Sequence, residues 1–131
     1  LSVWWISGSI QCGAQLALSS DADVEYPQRM ADPVPREKVP IAQFVPSTLA
    51  SSLATQPPDN ASPLRLVTFG GEALTPEHRK QGQSVLPREA FRKMYGPTEA
   101  AIDALSWPCP DNYDGSQSAI GRPMAWADAA G

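Results

Sequence analysis

The sequence predicts an α/β protein with a largely parallel sheet and flanking helices. Three observations predict it. Strand-like and helix-like segments alternate along much of the chain. The clearest strand pattern, LRLVTF at residues 64–69, stops at a double glycine, Gly70-Gly71. A helix start follows at Thr75-Pro76-Glu77, with Thr75 as N-cap and Pro76 in the first turn.

The elements follow in order. The chain opens on an apolar stretch, Leu1-Ser-Val-Trp-Trp-Ile6, without an initiator Met. Residues 14–18, AQLAL, alternate after Gly13 and predict a short strand. Residues 24–32 predict a poor helix, broken by Pro27 and ended by Pro33. The proline-rich 33–40 stretch predicts a surface connection. A strand is expected from Ile41 to Val45. A helix is expected after Pro46, where Leu49 and Leu53 share a face. Gln56 to Pro63 reads as a loop, and the helix from Thr75 is expected to reach about Leu86. Two more strands are expected, from Ala90 to Tyr95 and from Ile102 to Trp107. The end, from Trp126 to Gly131, carries neither pattern. Residues 1–131 therefore read as one partial domain, truncated at both ends.

Composition narrows the function. A hydrophobic fraction of 42% with 18% charged residues suits a packed core. The 14 prolines belong at element ends and loops. A net charge of -4 without a basic cluster argues against a nucleic-acid partner. No apolar run approaches the roughly 20 residues that cross a bilayer, so no membrane partner is expected. No signal peptide is visible, and a cytoplasmic location is expected. Cys12 and Cys109 form no CxxC and read as ordinary thiols. His78, among Glu77, Arg79 and Lys80, reads as part of a solvated helix face. Trp107 and Trp126 read as packing residues.

Chemistry concentrates in two turns. The first is Thr68-Phe-Gly-Gly-Glu-Ala-Leu74, where a strand runs into two glycines. Ligands of open α/β sheets collect at the carboxyl ends of strands, and glycines there admit a ring or a phosphate close to the backbone. Alone, such a stretch is usually only a tight turn. The second is Met94-Tyr-Gly-Pro-Thr-Glu-Ala-Ala-Ile-Asp103. Tyr95 offers an aromatic face, Gly96-Pro97 a rigid turn, Thr98 a hydroxyl and Glu99 a carboxylate. Those last two groups suit a phosphate oxygen and a hard cation such as magnesium. A Gly-Pro turn with a Thr cap explains the same residues without a ligand.

Together the two turns are far more specific. TFGGEAL, then MYGPTEAAID, then Ile120-Gly-Arg-Pro123 resembles the adenylation domains of nonribosomal peptide synthetases. Leu1-Ser-Val-Trp4 is similar to the tail of that family's FDxSVW motif, Gly13-Ala-Gln-Leu to its GAxL strand, and Phe44-Val-Pro-Ser47 to its FVPS segment. The resemblance implies part of the large N-terminal domain of an adenylate-forming enzyme. It implies ATP and Mg²⁺ as cofactors and an amino acid as substrate. It also implies transfer of the acyl group to a phosphopantetheine thiol on a neighbouring carrier domain, with peptidyl carrier and condensation domains as partners.

Residue by residue, the resemblance implies that Tyr95 stacks on adenine while Gly70, Gly71 and Glu72 line the adenine side, with Gly96 in the same nucleotide site. Thr98 touches the α-phosphate, Glu99 holds Mg²⁺, and both are the expected catalytic residues. Leu1, Trp4, Gln43, Val67, Phe69, Met94, Ile102 and Asp103 fall on the family's specificity positions. Gln43 and Asp103 are the polar members, which implies a small or medium polar substrate: serine or threonine, ahead of glutamine. The alternative is that Gln43 and Asp103 satisfy each other.

The sequence also departs from the family pattern. Lys93 stands where the family has an Asn that contacts adenine, and a Lys cannot accept a hydrogen bond. Trp5 stands where many relatives carry Glu, and Ser7-Gly-Ser9 replaces a usual apolar run. These differences suggest a divergent member. An acyl-CoA ligase-type adenylate-forming enzyme, or a non-catalytic adenylation-like module, are the competing readings.

Overall fold

The structure, a computed structural model, describes residues 2–55, 63–83, 91–96, 103–110, 114 and 121–124. A five-stranded sheet is its frame: β1 (Ile41–Phe44), β2 (Leu66–Phe69), β3 (Phe91–Tyr95), β4 (Leu105–Pro108) and β5 (Arg122–Pro123), side by side in chain order. The β1, β2 and β3 strands are parallel, whereas β4 and β5 return antiparallel. Helices precede, connect and cover these strands: α1 (Ser2–Gln11), α2 (Asp21–Glu25), α3 (Pro33–Arg36), α4 (Pro46–Thr55) and α5 (Pro76–Gln83). A 3₁₀ turn lies at Pro27–Arg29.

The α4 and α5 helices are the crossovers of two successive βαβ units that step the same way across the sheet. Right-handed crossovers then put both helices on one face. The core lies under them. Phe44, Val67, Phe69 and Phe91 are buried there with Leu49 of α4, and Leu53 packs against the cluster. Phe69 and Phe91 stack with ring centroids 5.5 Å apart. Gly82 of α5 admits the Phe91 ring, since a Cβ at that position would lie 2.7 Å from Phe91 Cε1. Trp107 packs against the same cluster, as a packing residue should.

The strand alternation sends Gln43, Thr68 and Met94 to the opposite face, because Gln43 pairs in register with Thr68 while Phe44 pairs with Phe69. Helix α1 serves that face: Trp5 Nε1–H donates to Gln43 Oε1.

Several sequence expectations held closely. Both parallel strands at 41–45 and 64–69 form, each slightly shorter than predicted. Thr75 caps α5, its Oγ1 accepting from the His78 backbone N–H at 3.2 Å. The expected end of that helix at Leu86 lies outside the described residues, as do most of the 56–63 loop and the region around Trp126.

Others need correction. Residues 14–18 are not a strand; 14–20 carry no regular structure and are exposed. A strand needs a hydrogen-bonding neighbour, and alternation alone does not supply one. The single poor helix at 24–32 is instead two short pieces, α2 and the 3₁₀ turn, divided at Tyr26 ahead of Pro27. The 33–40 stretch is not wholly surface connection. Pro33 opens α3, where its missing N–H costs nothing, and Pro33 and Val34 are buried. The last predicted strand begins at Leu105 rather than Ile102.

An ionic cluster ties this outer layer together. Asp23 is buried, accepts from Arg36 Nη2 at 3.0 Å, and forms a capping box with Ser20. Arg29 lies 3.7 Å from its other oxygen. Arg36, then the Ser20 hydroxyl, hold the Asp23 pKa down to about 2 from 3.8. A lowered folded-state pKa adds stability above the unfolded value and loses it as pH falls through the folded one. The stabilising effect of Asp23 over an Asp23→Asn variant is therefore expected to be full above pH 3.8 and to fade towards about pH 2. Thermal melting of both proteins across that range checks this. An equal difference in Tm at both ends contradicts it.

Candidate functional site

The carboxyl ends of β1, β2 and β3 form one rim of the sheet. Parallel pairing places Phe69 opposite Lys93, so the double-glycine turn after β2 and Tyr95-Gly96 after β3 leave the sheet side by side. The turn after β1 joins them, since the Gly70 N–H donates to the Phe44 carbonyl at 3.4 Å.

The two glycines are needed for different reasons. Gly71 has φ +86, a left-handed conformation that favours glycine. Gly70 is buried, and a Cβ there would sit 2.9 Å from Gln43 Nε2. Its lack of a side chain leaves space for the Gln43 amide.

Glu72 closes the turn against its neighbour. Its carboxylate accepts from Ser47 Oγ–H at 3.1 Å and from the Ser47 backbone N–H at 3.4 Å. Ser47 sits in the first turn of α4, where N–H groups lack helical partners and the helix dipole favours an anion. The Val45-Pro46-Ser47 segment and the Gly70-Gly71-Glu72 segment are thus one unit. Replacing Glu72 by Ala is expected to cost about 0.5–1 kcal/mol at this exposed position. Urea unfolding of the variant measures it. A variant as stable as the parent contradicts the capping role.

Tyr95 is 46% exposed, so its ring is available to a ligand at the rim. Thr98, Glu99, Leu1 and Ile102 lie outside the described residues. Among the described residues no helix is long and apolar enough to cross a membrane, and no His, Cys, Asp and Glu side chains group as a metal site.

The sheet divides the remaining predicted positions. Gln43 and Met94 share the face served by α1, the helix that also carries Trp4. Val67 and Phe69 point the other way, into the core beneath α4 and α5, and are 0% and 1% exposed. Asp103 lies just before β4, 4% exposed, and burial pushes its carboxyl above the ordinary value. Gln43 takes its acceptor contact from Trp5, and its Nε2 is buried with no hydrogen-bond partner among the described residues. Lys93 is buried on the core side of β3, in register with Phe69. Cys109 is also buried, and burial pushes its thiol up to about 11, in keeping with an ordinary unreactive thiol.

Three residues were not among the predicted site positions. Ser47 gives a signal only through the FVPS string, and Trp5 only as a departure from the family pattern. Thr68 opens the double-glycine motif, but it lies in a strand whose neighbours look purely structural.

The AMP-binding enzyme family matches residues 1–130. Phosphinothricin tripeptide synthetase PhsB of Streptomyces viridochromogenes is 36% identical over 125 residues, covering 95% of this chain. Tyrocidine synthase 3 of Brevibacillus parabrevis is 33% identical over 126 residues, covering 94% of this chain. The chain spans 10% of the first relative's length and 2% of the second's. Among solved structures, the nonribosomal peptide synthetase FmoA3 in its AMPPNP-bound form superposes with a TM-score of 0.75 at 22% identity. That match covers 95% of this chain and 14% of FmoA3.

Proposed function

The chain belongs to the AMP-binding enzyme family, and from that premise we propose that it is part of an adenylation domain of a nonribosomal peptide synthetase. The proposed reaction activates an amino acid with ATP. The substrate carboxylate oxygen bonds to the α-phosphorus, the bond to the bridging oxygen breaks, and pyrophosphate leaves. The aminoacyl adenylate then passes its acyl group to a phosphopantetheine thiol on a carrier domain as the bond to the phosphate breaks and AMP leaves, with condensation domains as further partners and the cytoplasm as the setting.

One observation carries this reading. The double-glycine turn and the Tyr95-Gly96 turn leave neighbouring parallel strands at one rim, in register. Positioning is most of what adenylate formation asks of a protein. Gly70 and Gly71 bring backbone close to a flat ring, the exposed Tyr95 ring covers it, and Glu72 holds the glycine turn in place through Ser47. Thr98 would offer its hydroxyl to the α-phosphate.

Mg²⁺ fits this donor set, because it is usually held by one or two carboxylates together with nucleotide phosphates. Glu99 supplies such a carboxylate four residues after Tyr95. When bound, the ion would neutralise phosphate charge.

Amino-acid-dependent exchange of pyrophosphate into ATP, measured on the protein that carries this chain with all twenty amino acids and a set of fatty acids, tests the reading. Exchange with one or a few amino acids is expected. Exchange with fatty acids alone would move the chain to the acyl-CoA ligase class. Absence of any exchange, with nucleotide still bound, would make it a non-catalytic module.

A further inference from the structure

Lys93 is a cation in an apolar place. It is 7% exposed, with Phe69 beside it on β2 and Trp107 beside it on β4. It takes part in no ion pair among the described residues. The Cys109 thiol, which burial pushes up to about 11, stays neutral and is no counter-ion. Lysine is almost never buried without a partner, because an ammonium loses much by leaving water. Its stem can lie along the two rings, but its charged end must reach something polar. Inward on the same face of β3 is Phe91, 1% exposed and stacked on Phe69, which offers no acceptor. Outward on that face is the exposed Tyr95, and continuing the register sets Gly71, without a side chain, opposite it. The rim is therefore the polar exit. Residues i and i+2 of a strand lie about 7 Å apart, which a four-carbon stem can span. The ammonium can thus meet the edge of a ring held between Tyr95 and the glycine turn.

We propose that Lys93 reads position 6 of the purine, and that the site takes a 6-oxopurine nucleoside triphosphate, of the hypoxanthine or guanine type, in preference to ATP. This rests on the adenylation reading and concerns the base alone. The bond made at the α-phosphorus and the pyrophosphate released are the same. A lysine ammonium only donates. Adenine carries an amino group at position 6, another donor, whereas guanine and hypoxanthine carry an oxygen there. N7 accepts in both classes, so position 6 decides. A donor facing a donor leaves the buried charge unpaired, and a charge-assisted hydrogen bond to the oxygen removes that cost.

ITP against ATP isolates this contact, because hypoxanthine differs from adenine only in the oxygen at position 6 and the N1 proton that accompanies it. In pyrophosphate exchange by the protein that carries this chain, kcat/KM for ITP is expected to exceed that for ATP about tenfold. Lys93→Met keeps an apolar stem without a donor and should cut the ITP-to-ATP ratio about tenfold. Lys93→Arg keeps a donor and should keep ITP ahead. A merely structural role would lower both nucleotides together and leave the ratio alone. A higher kcat/KM for ATP in the parent, or a ratio unmoved by Lys93→Met, overturns the proposal. Calorimetric binding of ITP and ATP keeps the two claims apart. If no amino acid supports exchange with either nucleotide, adenylation fails, while tighter ITP binding that Lys93→Met abolishes still supports the base contact. Equal binding, or tighter binding of ATP, still refutes it.

Discussion

Glu99→Ala is expected to abolish amino-acid-dependent pyrophosphate exchange, a loss on the order of a thousandfold or more. The argument begins at the rim. The β3 strand ends at Tyr95, beside the glycine turn. Four residues of chain reach at most about 14 Å, so Glu99 stays within one nucleotide's length of that point. Among the described carboxylates near the turns, Glu72 is engaged with Ser47 and Asp103 is buried, which leaves the metal-holding task to Glu99. Glu99→Asp should retain part of the activity, and nucleotide binding without metal should change little. Exchange near the parent rate in Glu99→Ala contradicts the metal-holding role.

Phe91→Ala should have the largest effect on stability, about 3–5 kcal/mol. Phe91 is 1% exposed, stacks on Phe69, and fills the notch left by Gly82. Removing the ring leaves a cavity where β2, β3 and α5 meet. For a domain stable by about 5–15 kcal/mol, that is a large part of the whole. Function should suffer with it, because β3 carries Tyr95 to the rim. Phe91→Leu, which keeps most of the volume, should cost about 1.5 kcal/mol or less. Denaturant unfolding of the two variants tests this. Equal, small losses would show that the notch is not tightly packed.

The strands were legible because apolar runs end abruptly at glycine or proline. Ile41–Phe44 stops before Val45-Pro46, and Leu66–Phe69 stops at Gly70. The cap at Thr75 was legible because its chemistry is local. Residues 14–18 misled because alternation marks a strand only when a neighbour is there to pair with it. Helix α1 was missed because Ser2–Gln11 lacks a clear apolar stripe and its first residues read as a motif tail. Ser20 to Asp23 carried a capping-box pattern that was open to reading, but the partner Arg36 lies 13 residues on.

The site was legible by order of motifs, not by direction. Gln43, Val67 and Phe69 sit on positions that the family resemblance groups together. Only the pairing of Gln43 with Thr68 reveals that Val67 and Phe69 face the core while Gln43 faces α1. A one-residue change of register would reverse that assignment, and register between parallel strands is set by packing across the whole sheet rather than by local sequence.

A crystal structure of the protein that carries this chain, grown with AMPPNP, bears most directly on the nucleotide rim. The adenine ring should lie between the Gly70-Gly71 backbone and the face of Tyr95, with the phosphates running towards Thr98 and Glu99. A nucleotide seated away from both turns, or touching one of them alone, contradicts the account.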